Sequence, residues 1–200
     1  KEFADRFLVT CEAYKVPAAI LLSKIDLQDA EAVAEFRAVY EGAGYRVLEV
    51  SAKEGRGVEE VRELLAGRTT LVSGNSGVGK STLIQTIDPS LDIRTGEISD
   101  SHHKGRHTTT FSTMYPLAEG GAVIDTPGIK GFGLLDIDDA ELWHYFPEMM
   151  RVAPGCRFYN CTHTHEPGCA VVEAVKAGEI AWSRYESYLK ILDDDEKYRK

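Results

Sequence analysis

Residues 74–82 read Gly74-Asn75-Ser76-Gly77-Val78-Gly79-Lys80-Ser81-Thr82, a full match to G-x-x-x-x-G-K-[ST]. Such a run holds a polyphosphate. Glycines let the backbone curl so that the N–H groups of Asn75 to Thr82 point inward, and a following helix adds its positive end. Lys80 is placed to reach the β- and γ-phosphates, and Ser81 to bind Mg²⁺. Further on, Asp125-Thr126-Pro127-Gly128 closes the apolar run Ala122–Ile124. In that place Asp125 would hold Mg²⁺ through a water, and the Gly128 N–H would sense the γ-phosphate. Thr108, Thr109 and Thr110 lie between the two motifs, and one of them would close over Mg²⁺ and the γ-phosphate. Ile129 stands after Gly128, where many GTPases have a water-orienting Gln, so help with hydrolysis must come from elsewhere. His107, as a neutral imidazole, is the candidate in this chain. Its other readings are a solvated loop residue and an RNA contact.

Upstream, Ser23-Lys24-Ile25-Asp26 is close to the Asn-Lys-x-Asp that reads a guanine base. Asp26 can accept from guanine N1–H and N2–H₂, a pair that adenine does not offer. Lys24 would lie along the base, and the backbone of Ser51, Ala52 and Lys53 would meet guanine O6. Ser23 stands where Asn is more common, which shortens one polar contact and puts it at risk. Base-reading loops ordinarily follow the phosphate loop. Here they precede it, which is the order of a circularly permuted GTPase domain.

A second cluster, Cys156-x4-Cys161-x-His163-x5-Cys169, offers a Cys₃His ligand set. Four protein ligands suit a structural zinc and leave no open coordination position. Pro154, Gly155, Pro167 and Gly168 supply the turns, and His165 is a neighbouring competitor to His163. A disulfide reading is unattractive for a nucleotide enzyme of the reducing cytosol. Cys11, on a helical face with Phe7, Leu8 and Tyr14, is expected in a core.

Taken together, these motifs and the run Gly105–Thr110 resemble the ribosome small subunit-dependent GTPase A family over almost the whole chain. The resemblance implies a circularly permuted P-loop GTPase domain with a mainly parallel sheet, followed by a small helical zinc domain. It implies GTP/GDP, Mg²⁺ and Zn²⁺ as cofactors. It also implies hydrolysis stimulated by the 30S subunit during late 30S maturation, with 16S rRNA as partner. By analogy, Thr109 is the threonine that closes on Mg²⁺ beside Ser81. Family members carry an N-terminal OB-fold and a sheet strand before the first helix. Neither is matched in residues 1–200, so the chain is expected to be part of a longer protein.

The elements that must position these residues follow from periodicity. Helices are expected near 2–15, 29–42 and 57–66. Strands are expected at 18–23, 45–50 and 69–73, then a helix from Ser81. A hairpin over 111–117 and 121–125 turns at Glu119-Gly120-Gly121, and helices follow from about 138. Alternating strands and helices make an α/β domain over residues 1–137, and 138–200 form the zinc domain. Trp143, Phe146, Trp182, Tyr185 and Tyr188 are expected to fill that second core, their other reading being stacking platforms for RNA bases. The 200 residues have 43% hydrophobic content and a net charge of −9, without a membrane-length apolar run or a signal peptide. A cytoplasmic monomer is expected. The acidity sits awkwardly with RNA binding; the most basic stretch is His102–His107. Two other readings use the same motifs: a P-loop ATPase or nucleotide kinase, and a zinc-containing RNA-docking module whose nucleotide domain is a switch with negligible catalysis.

Overall fold

The computed structural model describes residues 2–75, 77–91, 113–125 and 137–198, with side chains to Asp193 in the last helix. Ser76, His107, Thr109, Gly128 and Ile129 lie outside the described residues. In chain order the elements are α1 (Glu2–Ala13), β1 (Ala19–Ser23), α2 (Ala30–Ala43), β2 (Arg46–Val50), α3 (Val58–Leu65), β3 (Thr69–Val72), α4 (Lys80–Ile87), β4 (Thr113–Pro116), β5 (Ala122–Asp125), α5 (Pro147–Val152), α6 (Ala170–Lys176) and α7 (Trp182–Tyr198). The alternation expected from the sequence is present. β1 and β2 form a two-stranded sheet, and β3-β5-β4 a three-stranded one. β3 and β5 pair in parallel, Thr69 opposite Ala122 and Val72 opposite Asp125. β4 returns antiparallel, Thr113 opposite Asp125.

The chain divides into two compact units. One contains Leu21–Asp29 and Leu48–Lys130. Its core is Leu48, Val50, Val58, Val61, Leu65, Leu83, Ile84, Ile87 and Val123. Val58, Val61 and Leu65 recur at helical spacing, so α3 presents one buried stripe. The other unit contains Lys1–Ile20, Ala30–Val47 and Gly131–Lys200. Its core holds Val9, Leu142, Phe146, Met149, Val171, Tyr185, Tyr188 and Ile191. By packing, α1 and α2 group with the C-terminal elements.

A buried polar network accounts for that grouping. Arg184 of α7 donates from Nη1 to Asp5 Oδ1 at 2.6 Å. It also donates from Nε to Glu148 Oε1 at 2.7 Å and from Nη2 to Glu148 Oε2 at 3.4 Å. Tyr40 and Ser187 hydroxyls donate to the same Asp5 carboxylate at 2.9 and 2.5 Å. All three charged groups are at most 2% exposed. The guanidinium also lies 4.8 Å from the Phe146 ring centroid and 5.6 Å from those of Tyr40 and Tyr45. Burial disfavours the charged form of Arg184, but Glu148 and then Asp5 more than offset it and raise its pKa. α1, α2, α5 and α7 are thus held at one point.

Two expectations about apolar residues need correction. Trp182 is 61% exposed rather than core, although Phe146, Tyr185 and Tyr188 are buried. Cys11 is only half-buried and Tyr14 is exposed, because α1 turns Leu8 and Val9 inward.

Candidate functional site

Parallel pairing of β3 with β5 brings Val72 level with Asp125, so both strands end at the edge where the phosphate loop leaves β3. Ligands of open α/β sheets bind beyond such carboxyl ends. Gly79 precedes α4 at φ +97, a left-handed conformation open to glycine at little cost. Lys80 folds back, its Nζ donating to Gly74 O at 2.7 Å and Asn75 O at 3.1 Å. The ammonium is therefore stored over the loop where a phosphate would sit. Asp125 Oδ1 is buried with no hydrogen-bond partner among the described residues. An uncompensated buried carboxylate oxygen is costly unless a cation or its water comes to it, so the residues fit an Mg²⁺ site.

The base-reading loop lies against this loop. Ser23 Oγ donates to Val78 O at 2.7 Å, a bond from this loop to the phosphate loop. Lys24, at φ +56, donates from Nζ to Gly77 O at 2.7 Å. Left-handed backbone at a lysine is strained and needs such surroundings to persist. The fully buried Ser51 donates from Oγ to Asp26 Oδ1 at 2.7 Å and accepts from the Glu54 N–H at 3.2 Å. Asp26 is thus aimed by Ser51, and the Ser51-Ala52-Lys53 run is fixed by a bridge from Ser51 to Arg56. Gly57, at φ +71, lets the chain turn there; a Cβ at this position would stand 2.0 Å from Glu49 O. Motifs that are far apart and reversed in sequence meet here in one site.

In the other unit the ligand atoms of Cys156, Cys161, His163 and Cys169 lie within 4.8 Å of one another. His163 Nδ1 is 3.5 Å from Cys156 Sγ and 3.4 Å from Cys169 Sγ. A tetrahedral zinc with bonds of about 2.3 Å to sulfur and 2.0–2.1 Å to nitrogen separates S from N by about 3.5 Å. Both of these separations match that geometry, so the donor set fits zinc. Burial pushes the Cys161 thiol up to about 12 and raises Cys169 as well, so thiolates here need a cation. Burial also lowers His163 and keeps it the neutral imidazole that a metal requires. The Ala170 N–H donates to Cys156 Sγ at 3.3 Å and the Val172 N–H to Cys169 Sγ at 3.4 Å. The competing His165 is occupied with Thr164 Oγ1 at 2.8 Å, outside the cluster.

Residues overlooked in the sequence shape this loop. Glu166 accepts from the Thr162 N–H and hydroxyl at 2.7 and 2.6 Å and from the Thr164 and His165 N–H groups at 3.1 and 3.2 Å. Burial raises its carboxyl, but these bonds outweigh that and hold it well below the usual carboxylate range. Tyr185 and Tyr188 hydroxyls donate to the carbonyls of His163 and Thr162 at 2.7 and 2.6 Å. The readable signal was a carboxylate within a Thr/His-rich loop.

Fold and site together define a P-loop nucleotide-binding protein of circularly permuted GTPase architecture. A family model described as RsgA GTPase matches residues 1–135, and the chain belongs to that family. A small ribosomal subunit biogenesis GTPase RsgA from Porphyromonas gingivalis is 54% identical over 205 residues, covering 98% of this chain and 65% of the relative. Another, from Christiangramia forsetii, is 48% identical over 197 residues, covering 97% and 62%. The crystal structure of YjeQ from Thermotoga maritima superposes with a TM-score of 0.81 at 38% identity, over 96% of this chain and 65% of that one. YloQ, described as a circularly permuted GTPase, gives 0.76 at 29% identity over 100% and 63%. The chain thus spans less than two thirds of the length of these relatives.

Proposed function

We propose that this chain is the nucleotide-hydrolysing part of a GTPase that acts in late maturation of the small (30S) ribosomal subunit, with hydrolysis stimulated by that subunit. The observation that carries this reading is the pair of bonds from Ser23 and Lys24 to the phosphate loop, with Asp26 aimed by Ser51. A guanine-reading carboxylate and a triphosphate cradle then belong to one ligand. The names of the relatives supply the ribosomal role.

In this account Asp26 takes the guanine N–H pair, Lys24 lies along the base, and the backbone of Ser51, Ala52 and Lys53 meets O6. The N–H groups from Asn75 to Thr82, Ser76 included, wrap the phosphates. Lys80 exchanges the carbonyls of Gly74 and Asn75 for β- and γ-phosphate oxygens, a transfer of hydrogen bonds without loss of count. Ser81, Thr109 and, through water, Asp125 hold Mg²⁺, which neutralises charge on the phosphates when bound. Gly128 senses the γ-phosphate and His107 orients the attacking water. Cys156, Cys161, His163 and Cys169 hold a structural zinc. Residues 1–137 carry the nucleotide chemistry and 138–200 the zinc module, which contacts 16S rRNA. The protein works as a cytoplasmic monomer; among the described residues no helix is long and apolar enough to cross a membrane.

The test is base selectivity. A site built to bond a ligand N–H rejects an analogue without it by on the order of 10⁴-fold. GDP is expected to bind far more tightly than ADP in calorimetry, and Asp26→Asn to shift preference toward xanthosine diphosphate. Equal affinities for GDP and ADP would overturn the reading.

A further inference from the structure

Beside the zinc loop lies an open groove of about 480 Å³, within the roughly 300–1,000 Å³ of small-molecule clefts. The nucleotide chemistry does not use it. Its lining combines the metal-ligand side chains Cys156, Cys161 and His163 with the aromatic Trp143, Phe158 and Tyr159. Tyr159 is fully exposed, and Phe158 is 40% exposed. The Arg157 guanidinium lies 5.5 Å from the Phe158 ring centroid. His144 stacks on Trp143 with ring centroids 3.7 Å apart. Arg157 and His144 are both exposed.

The charge of the groove is unlike that of the chain. With a net charge of −9 over 200 residues, a random surface patch would carry carboxylates. Among the described residues, no groove-lining side chain is acidic, and the two titratable groups outside the metal ligands and Tyr159 are Arg157 and His144. Aromatic faces beside an arginine, with no carboxylate in the lining, form the combination that binds single-stranded nucleic acid. Bases stack on the rings, and the cation meets the backbone phosphate. An apolar peptide would find aromatic surface here but no use for the arginine and histidine at its rim.

We propose that this groove takes an unpaired base of single-stranded RNA, stacked on Tyr159 and Phe158, with Arg157 on the adjoining phosphate. The inference rests on the ribosomal reading and deepens it by naming the form of RNA that the zinc module grips. A base-paired helix would not serve, because its bases are not free to enter.

The experiment uses the zinc-loaded chain with Trp182→Phe, which leaves Trp143 as the one reporter of the two tryptophans. A labelled ten-nucleotide single-stranded RNA of mixed sequence is titrated by anisotropy while Trp143 emission is followed. Binding is expected to quench Trp143. Tyr159→Ala is expected to weaken binding about five- to a hundredfold, and Tyr159→Phe less than about twofold. Arg157→Ala should lower the slope of log affinity against log salt by about 1. An RNA duplex should compete poorly. Tyr159 is fully exposed, so its loss leaves the melting temperature and GDP affinity unchanged, and both are measured on the same samples. Equal binding by wild type and Tyr159→Ala, unchanged Trp143 emission at saturation, or a preference for duplex RNA or an apolar peptide would each overturn the inference. Failure of the ribosomal reading would show separately, as loss of GDP-over-ADP preference or of 30S-stimulated hydrolysis.

Discussion

Replacing Arg184 by leucine tests whether the buried network holds α1, α2, α5 and α7 together. In the wild type Asp5 and Glu148 are 0% and 2% exposed, and Arg184 bonds both. Without it, Asp5 retains the Tyr40 and Ser187 hydroxyls, while Glu148 loses both of its bonds to the guanidinium. Stranding one partner of a buried pair costs about 3–5 kcal/mol. Leucine recovers some of the contact that the guanidinium made with Phe146, so we expect about 4 kcal/mol. That is a large part of the 5–15 kcal/mol available to a typical domain. For a chain of this size it lowers Tm by about 8–16 °C. Arg184→Lys keeps the charge but not the fork that spans two carboxylates, and should lose roughly half as much. Adding Glu148→Gln to the leucine variant removes the stranded charge and should restore part of the stability, giving a double-mutant coupling above about 1 kcal/mol. Thermal and urea unfolding followed by circular dichroism read the wild type, Arg184→Leu, Arg184→Lys, Glu148→Gln and the Arg184→Leu/Glu148→Gln double variant. A leucine variant within about 1 kcal/mol of wild type, or strict additivity in the cycle, would refute the reasoning.

Three further outcomes follow from the geometry. Ser51→Ala removes the hydroxyl that aims Asp26 at 2.7 Å; bonds to charged groups are worth about 1.5–3 kcal/mol, so GDP affinity by calorimetry should fall about ten- to a hundredfold while ADP affinity stays level. Metal analysis should find one zinc per chain; its removal by a chelator should melt the Cys156–Cys169 loop and α6 while GDP still binds, whereas freshly purified protein without zinc would count against the site. Asp88 accepts from the Ser90 hydroxyl and N–H and from the Ala118 N–H, and the Ser90 hydroxyl first among these holds its carboxyl below the ordinary 3.8. A carboxyl lowered in the folded state gives stability that is full above 3.8 and is lost as pH falls from there through the lower folded value. The difference in urea stability between wild type and Asp88→Asn should therefore be constant near neutrality and shrink below about pH 4.

The nucleotide site was legible because its chemistry is local. Each loop carries its own residue pattern, and strand-then-helix periodicity places it at a strand end. The reversed order of Ser23–Asp26 and Gly74–Thr82 announced the architecture before any contact was known. The Cys/His spacing likewise announced a cluster that the fold brings together. What stayed hidden is non-local. Nothing near Asp5 or Arg184 in the sequence marks them as partners, because a buried ion pair looks like two ordinary surface charges until the fold brings them together. The same holds for Glu166, whose role depends on a loop closing around it. Trp182 erred in the opposite direction: a large aromatic at the start of α7 reads as core, yet the face it occupies turns to solvent.

The most direct test is multiple-turnover hydrolysis of GTP and of ATP by this chain, alone and with purified 30S or 50S subunits. The account predicts slow GTP turnover, stimulation by 30S and not by 50S, negligible ATP turnover, and loss of activity in Lys80→Ala. ATP hydrolysed as readily as GTP, or 50S stimulating as strongly as 30S, would contradict it.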